Sequence, residues 1–138
     1  MSHNIIASIF EAKLIAWAKA LPTPIKVVVE NEAYEPGNGV TYLRAFTLPG
    51  DTASGTLGGD HRLFTGVFQV SIVTPAGKYR GAAGALADQI VALFPLYERI
   101  TKNALTVVTM TPVDQGPGIP DDTTYTVPVS FAYRADTN

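Results

Sequence analysis

The stretch RLFTGVFQVSIVTP, Arg62 to Pro75, alternates apolar and polar residues: Phe64, Phe68, Val70 and Ile72 share one face, Thr65, Gln69 and Ser71 the other. A period of two specifies a β-strand with one buried and one wetter side. Such a strand needs neighbours for its backbone groups and a cover for its apolar face. The remaining segments are read by what they contribute to each.

Two segments supply the cover. Ile6, Phe10, Leu14, Trp17 and Leu21 recur at helical spacing, with Asn4 as the expected N-cap and Pro22 as the stop. Trp17 belongs to that apolar stripe, so core packing is its expected role. In GKYRGAAGALADQIVALFP the period changes again, and Ala83, Leu86, Ile90, Leu93 and Phe94 fall on one helical face before Pro95. Small residues at Ala82, Gly84 and Ala85 are expected to allow close approach to a sheet or helix, at some cost in helix propensity.

The neighbours are PTPIKVVVEN, VTYLRAFTL, ALTVVTM and TTYTVPVSFAYR, all rich in β-branched and aromatic residues. In the last, Tyr125, Val127, Val129, Phe131 and Tyr133 share a face. Pro128 cannot donate to a ladder, which places that strand at an edge or leaves its pairing imperfect. VDQGPGIPDD reads as a loop. The expected fold is α+β, in the order α-β-β-β-α-β-β: a mostly antiparallel sheet of about five strands with two helices packed on one face. Residues 1–138 form a single domain, with a flexible hairpin arm at about 49–61 where GDTASGTLGGDHR, Gly50 to Arg62, is too glycine-rich for helix or strand.

Composition removes several function classes. A length of 138 residues suits one domain with a real core. Charged residues make up only 16% and hydrophobic ones 46%, and a surface this poor in charge is suited to a partner. Ten basic against twelve acidic residues leave a net charge of -2 without a basic run, which disfavours nucleic-acid and membrane-surface binding. The absence of cysteine excludes disulfides and thiolate chemistry. Glu11, Lys13 and Lys19 interrupt the apolar N-terminal stretch and argue against a signal sequence or a membrane span.

The search for chemistry yields little. Gly50 and Gly55 have phosphate-loop spacing, but Thr56 and Leu57 stand where lysine and a hydroxyl residue are required. Asp60, His61 and Ser54 are the best acid–base candidates, yet a glycine-rich loop neither holds nor desolvates them. His3 lies near an end expected to fray. Asp121 and Asp122 are adjacent and unsuited to joint ligation, and Glu30, Glu32 and Glu35 read as a wet sheet edge. No catalytic, cofactor or metal residue is therefore expected. Arg44 and Arg62 flank the glycine-rich stretch, and a hairpin would bring them together, an arrangement that calls for a carboxylate from elsewhere or for solvent.

GVFQVSIVTPAGKYRGAAGALADQIVALFP resembles the central signature of the phage tail terminator and tail-completion family: a strand of the form F-x-V-x-V, a Pro/Gly connection, and an alanine-rich helix ending in phenylalanine. Phe68, Val70, Ile72, Pro75, Gly77, Ala87, Ile90 and Phe94 carry the likeness, and the flanking segments extend it over nearly the whole chain. The resemblance implies a structural, non-enzymatic phage or prophage morphogenesis protein. It would form a homo-oligomeric ring, commonly a hexamer, that caps the tail tube, meets the tube protein and joins the head–tail connector. It would lie in the virion tail, and in the host bacterial cytoplasm during assembly. The arm is then the expected subunit or tube contact, through Arg44, Asp51, Thr52, Ser54, Thr56, Leu57, Asp60, His61 and Arg62, mobile until assembly orders it. Another head–tail connector role is the neighbouring alternative. An enzymatic or small-molecule-binding domain using Asp60 and His61 is the alternative of a different class.

Overall fold

The computed structural model describes residues 3–30, 32–35, 39–54, 62–77, 81–102, 105–121 and 123–137. Helix α1 spans His3–Lys19 and α2 Gly81–Leu93. The strands are β1 (Lys26–Val28), β2 (Tyr42–Ser54), β3 (Arg62–Pro75), β4 (Arg99–Lys102), β5 (Leu105–Thr109), β6 (Asp114–Gln115), β7 (Ile119–Pro120) and β8 (Thr124–Thr137). The expected α+β class holds. Among the described residues, however, the sheet has eight strands rather than about five, in the order β1-β2-β3-β8-β5-β4, with β6 and β7 both on β8. The sheet is mixed, because β1 runs parallel to β2.

The alternating stretch is the centre of this sheet. β3 pairs antiparallel with β2 on one side and with β8 on the other, from Leu63 opposite Asp136 to Pro75 opposite Thr124. Phe64, Phe68, Val70 and Ile72 all face the main core, as their spacing requires. Phe10 of α1 is the hub: its ring lies 5.2 Å from Phe68, 5.1 Å from Phe131, 5.7 Å from Tyr133 and 5.9 Å from Phe94. Ile6, Ile9, Leu14 and Ala18 complete the buried stripe of α1. Trp17 packs against the core while remaining only partly buried. On the other sheet face Val28, Tyr42 and Val73 form a small second cluster with Tyr34.

Several expectations are corrected. β8 is an interior strand that pairs imperfectly at Pro128 rather than an edge, and the position of Pro128 explains why. The Pro128 carbonyl accepts from the Gly116 amide at 2.7 Å, and a strand residue directs its N and C=O to the same side. The missing donor thus falls on the β6–β7 side, between the pairs at Val129 and Thr126, where that ladder is already interrupted. The β3 ladder loses nothing. VDQGPGIPDD accordingly carries β6 and β7 rather than a free loop. β4 was not legible because only Ile100 in RITK is apolar.

The glycine-rich stretch is also corrected. Gly50 to Ser54 continue β2, and Arg62 begins β3. A bulge makes this possible: Pro49 pairs with Gly66 and Thr52 with Phe64, so Gly50 and Asp51 together oppose Thr65. Asn4 lies inside α1 rather than capping it. Close packing of α2 comes from buried Ala83 and Ala87, whereas a Cβ at Gly84 would meet open space.

Candidate functional site

The bulge brings the base of the β2–β3 arm against the start of α1. His3, expected to fray, is instead seated there: its Nδ1 lies 2.7 Å from the Tyr133 hydroxyl and its ring meets Phe64 edge-on at 5.2 Å. Its Nε2 stands 3.5 Å from Thr52 Oγ1, at the outer limit of a hydrogen bond. Burial lowers the His3 pKa below the ordinary 6.5. Burial likewise pushes the Tyr133 phenol up to about 12, keeping the hydroxyl protonated at physiological pH. Tyr133 reaches His3 because its cross-strand partner is Gly66. A Cβ at Gly66 would lie 2.5 Å from the Tyr133 hydroxyl oxygen and 2.7 Å from the Leu48 carbonyl oxygen.

Beside this clamp lies a cleft of ≈ 280 Å³, lined by His3, Asn4, Ala7 and Glu11 of α1, Val29 and Glu30 after β1, and Thr47 and Pro49 of β2. Glu30 Oε1 accepts from the Thr47 amide at 2.5 Å, standing in for a ladder bond beyond the end of β1. The Glu11 carboxyl is raised above its ordinary pKa, first by burial and then by the negative charge of Glu30. Thr47 sits opposite Phe68, so its side chain points to the helix face. Its Oγ1 is buried without a hydrogen-bond partner. Two carboxylates, Glu11 and Glu30, thus line one cleft beside Thr47. Among the described residues no group of three or more His, Cys, Asp or Glu could hold a metal ion.

A second surface surrounds the turn after α2. Tyr97 has a φ of 62°, an unusual value for a bulky residue, and is 64% exposed beside Leu96 and Met110. Buried Thr109 holds the turn in place: its hydroxyl donates to the Pro95 carbonyl at 2.6 Å and accepts from the Glu98 amide at 3.0 Å, and its carbonyl accepts from the Tyr97 amide at 2.9 Å. Strain retained to display an aromatic ring marks a surface of interest. No periodicity in FPLYERI signals it.

The arm residues named from sequence are only partly assembled. Thr52 is exposed and near His3. Asp51, Ser54 and Arg62 have strand backbone, but their side chains, and all of Thr56, Leu57, Asp60 and His61, lie outside the described residues. Arg44 and Arg62 do not meet. Arg44 pairs with Ser71 and Arg62 with Ser54, so they stand ten strand positions apart, roughly 30 Å. The antiparallel register separates them because cross-strand partners lie equally far from the turn, and Arg44 lies much farther from it than Arg62. Arg44 lies over the Tyr42 ring at 5.3 Å, on the face turned from the helices. His3, Glu11, Thr47 and Tyr133 were not singled out as site residues, since only the tertiary fold brings them together.

Comparison with known proteins follows the fold closely. A family model described as phage tail terminator protein matches residues 5–133. One solved protein structure is 37% identical, with a TM-score of 0.82 over 98% of this chain and 96% of that one. No curated protein matches the chain. No described helix is long and apolar enough to cross a membrane.

Proposed function

Because the chain belongs to the phage tail terminator family, we propose that it closes a homo-oligomeric ring, a hexamer, on the end of the tail tube and presents a surface to the head-side connector. The family is one of structural phage tail proteins, which assigns the chain a role in tail morphogenesis and a place in the virion tail. The observation that carries the finer reading is the near-complete match over residues 5–133. Two physical features support it. The sheet ends in two different short strands, β1 and β4, which gives the subunit two unlike edge surfaces of the kind a head-to-tail contact can join. A net charge of -2 gives a ring traversed by DNA little tendency to grip phosphate. Assembly would take place in the host cytoplasm.

Within this reading residues 51–62 contact the adjacent subunit or the tube. Arg44, far along β2, belongs to a different surface. The test replaces residues 55–61 with Asn-Gly, a two-residue turn suited to joining β2 to β3. The shortened chain is expected to fold with a stability change of about 1 kcal/mol or less, while its tails fail to join heads and infectious yield falls. Normal yield from that variant would remove the arm from the mechanism. Native mass spectrometry and negative-stain imaging of the unaltered chain on tail tubes test the ring itself.

A further inference from the structure

We propose that the helix-free face of the sheet is the surface by which this chain seats on the end of the tail tube, and that the tube meets it with apolar side chains bordered by carboxylates. The inference rests on the ring reading given above. Facing residues of paired strands share a sheet face, so the register spells out what this face displays. Leu48 faces Val67, Val67 faces Ala132, and the Ala132 carbonyl accepts from the Met110 amide at 2.8 Å. The sequence neighbours Phe68, Phe131 and Tyr133 fill the main core, so Val67 and Ala132, and Leu48 with them, point the opposite way. Leu48 is 49% and Met110 39% exposed, while Val67 and Ala132 are half-buried. The row leads to the turn that displays Tyr97, whose amide is held by the carbonyl of Thr109, the residue before Met110. A sheet face given to water calls for polar residues at these places. An apolar row crossing β2, β3 and β8 to an exposed tyrosine marks a surface that another body covers.

Charge states the chemistry of that body. Arg134 faces Val108 and Val108 faces Arg99, so two exposed arginines stand beside the apolar row on the same face, two strand spacings or roughly 10 Å apart. Arg134 lies 3.4 Å from Asp136, and among the described residues Arg99 pairs with no carboxylate. Arg44 lies farther along this face over the Tyr42 ring, and Asp114, opposite Ser130, is an acid on it. An apolar centre with arginines at its border is the make-up of a protein interface whose partner supplies carboxylates. The ring reading selects the tube. Neighbouring subunits meet at the β1 and β4 edges and the helices cover the other face, which leaves this one for a body outside the ring. Leu48 also lies just before the bulge from which the arm leaves, so the row adjoins the segment already assigned to assembly. Exposed leucine, methionine and tyrosine offer nothing to a phosphate backbone.

Co-sedimentation with purified tail tubes assembled without this chain tests the surface. Leu48→Glu and Arg99→Glu are each expected to weaken tube binding by roughly tenfold or more, because each sets a new carboxylate against the partner's own. Both side chains are exposed, so circular dichroism should show folded chains and native mass spectrometry unchanged self-association. Val91→Glu, the same kind of change at an exposed position of α2, is expected to bind tubes normally. If Leu48→Glu binds tubes as tightly as the unaltered chain, this face is not the docking surface and the ring reading stands. If Leu48→Glu abolishes self-association, the face joins copies of this chain, and if it spares tube binding but blocks head joining, the face meets the connector; either result overturns the tube assignment. If the unaltered chain does not bind the tubes at all, the reading of its function fails and this surface with it.

Discussion

Gly66 occupies the one place in β3 where a side chain on the core face would have to share space with Tyr133. The alternating pattern of β3 passes through residue 66 between Phe64 and Phe68, and an apolar residue would satisfy it. Glycine stands there because Tyr133 lies across it and the Leu48 carbonyl blocks retreat. Gly66→Ala is therefore expected to destabilise the fold by about 1–3 kcal/mol or more, the usual range for overpacking against atoms that cannot move. Chemical denaturation would show a lower midpoint at unchanged slope. The sequence displayed the glycine but not its reason, since Tyr133 is 67 positions away and only the β3–β8 register makes them neighbours. Thr47 has the same character: it continues the Leu43 and Ala45 face of β2, and its unused hydroxyl is recognised only when α1 is in place.

At the level of elements, the start of α1 depends on a histidine whose protonation burial disfavours. Burial depresses the His3 pKa, so the unfolded chain takes up the proton more readily than the folded one. The stabilisation is present above the ordinary 6.5 and is lost as pH falls through the lower folded value. Glu11 and Glu30 line the same cleft, yet burial is the cause that sets the direction. Protection factors of the amides in the first turns of α1, which are corrected for the intrinsic pH dependence of exchange, should fall on acidification below 6.5, and His3→Phe, which keeps the contact with Phe64, should flatten that dependence. The helices were legible because a buried stripe of period 3.6 is a local property: Ile6, Phe10 and Leu14 lie in the core, as do Ala83, Ile90 and Phe94. β4, β6 and β7 were not, because two to four residues carry no periodicity and their pairing with β5 and β8 is all that defines them. Pro128 misled for a related reason: it forbids one hydrogen bond on one side of a strand, and only the position of Gly116 shows which side.

For the whole molecule, one partly buried carboxylate sets a pH-dependent part of the stability. Glu11 is held above its ordinary pKa, so its ionised form costs the isolated subunit stability, a cost that disappears as pH falls toward the ordinary 4.5. Glu11→Gln should raise the thermal midpoint of the isolated subunit at neutral pH, and the advantage should vanish in acid. The composition of the glycine-rich arm suggested a break in regular patterning from Gly50 on, but the bulge at Gly50 and Asp51 lets β2 run on to Ser54, which no local signal requires. By itself the sequence determined the α+β class, the two helical covers, the faces of β3 and β8 and, through a core signature spread over nearly the whole chain, the family. These are encoded in periodicity, which every residue in a segment reports. Only the tertiary structure decided the strand order, the interior place of β8, the separation of Arg44 from Arg62, and the meeting of His3 with Tyr133 and of Glu11 with Glu30 and Thr47. Those depend on contacts between residues far apart in the chain, fixed by hydrogen-bond register and by how two helices sit on one sheet.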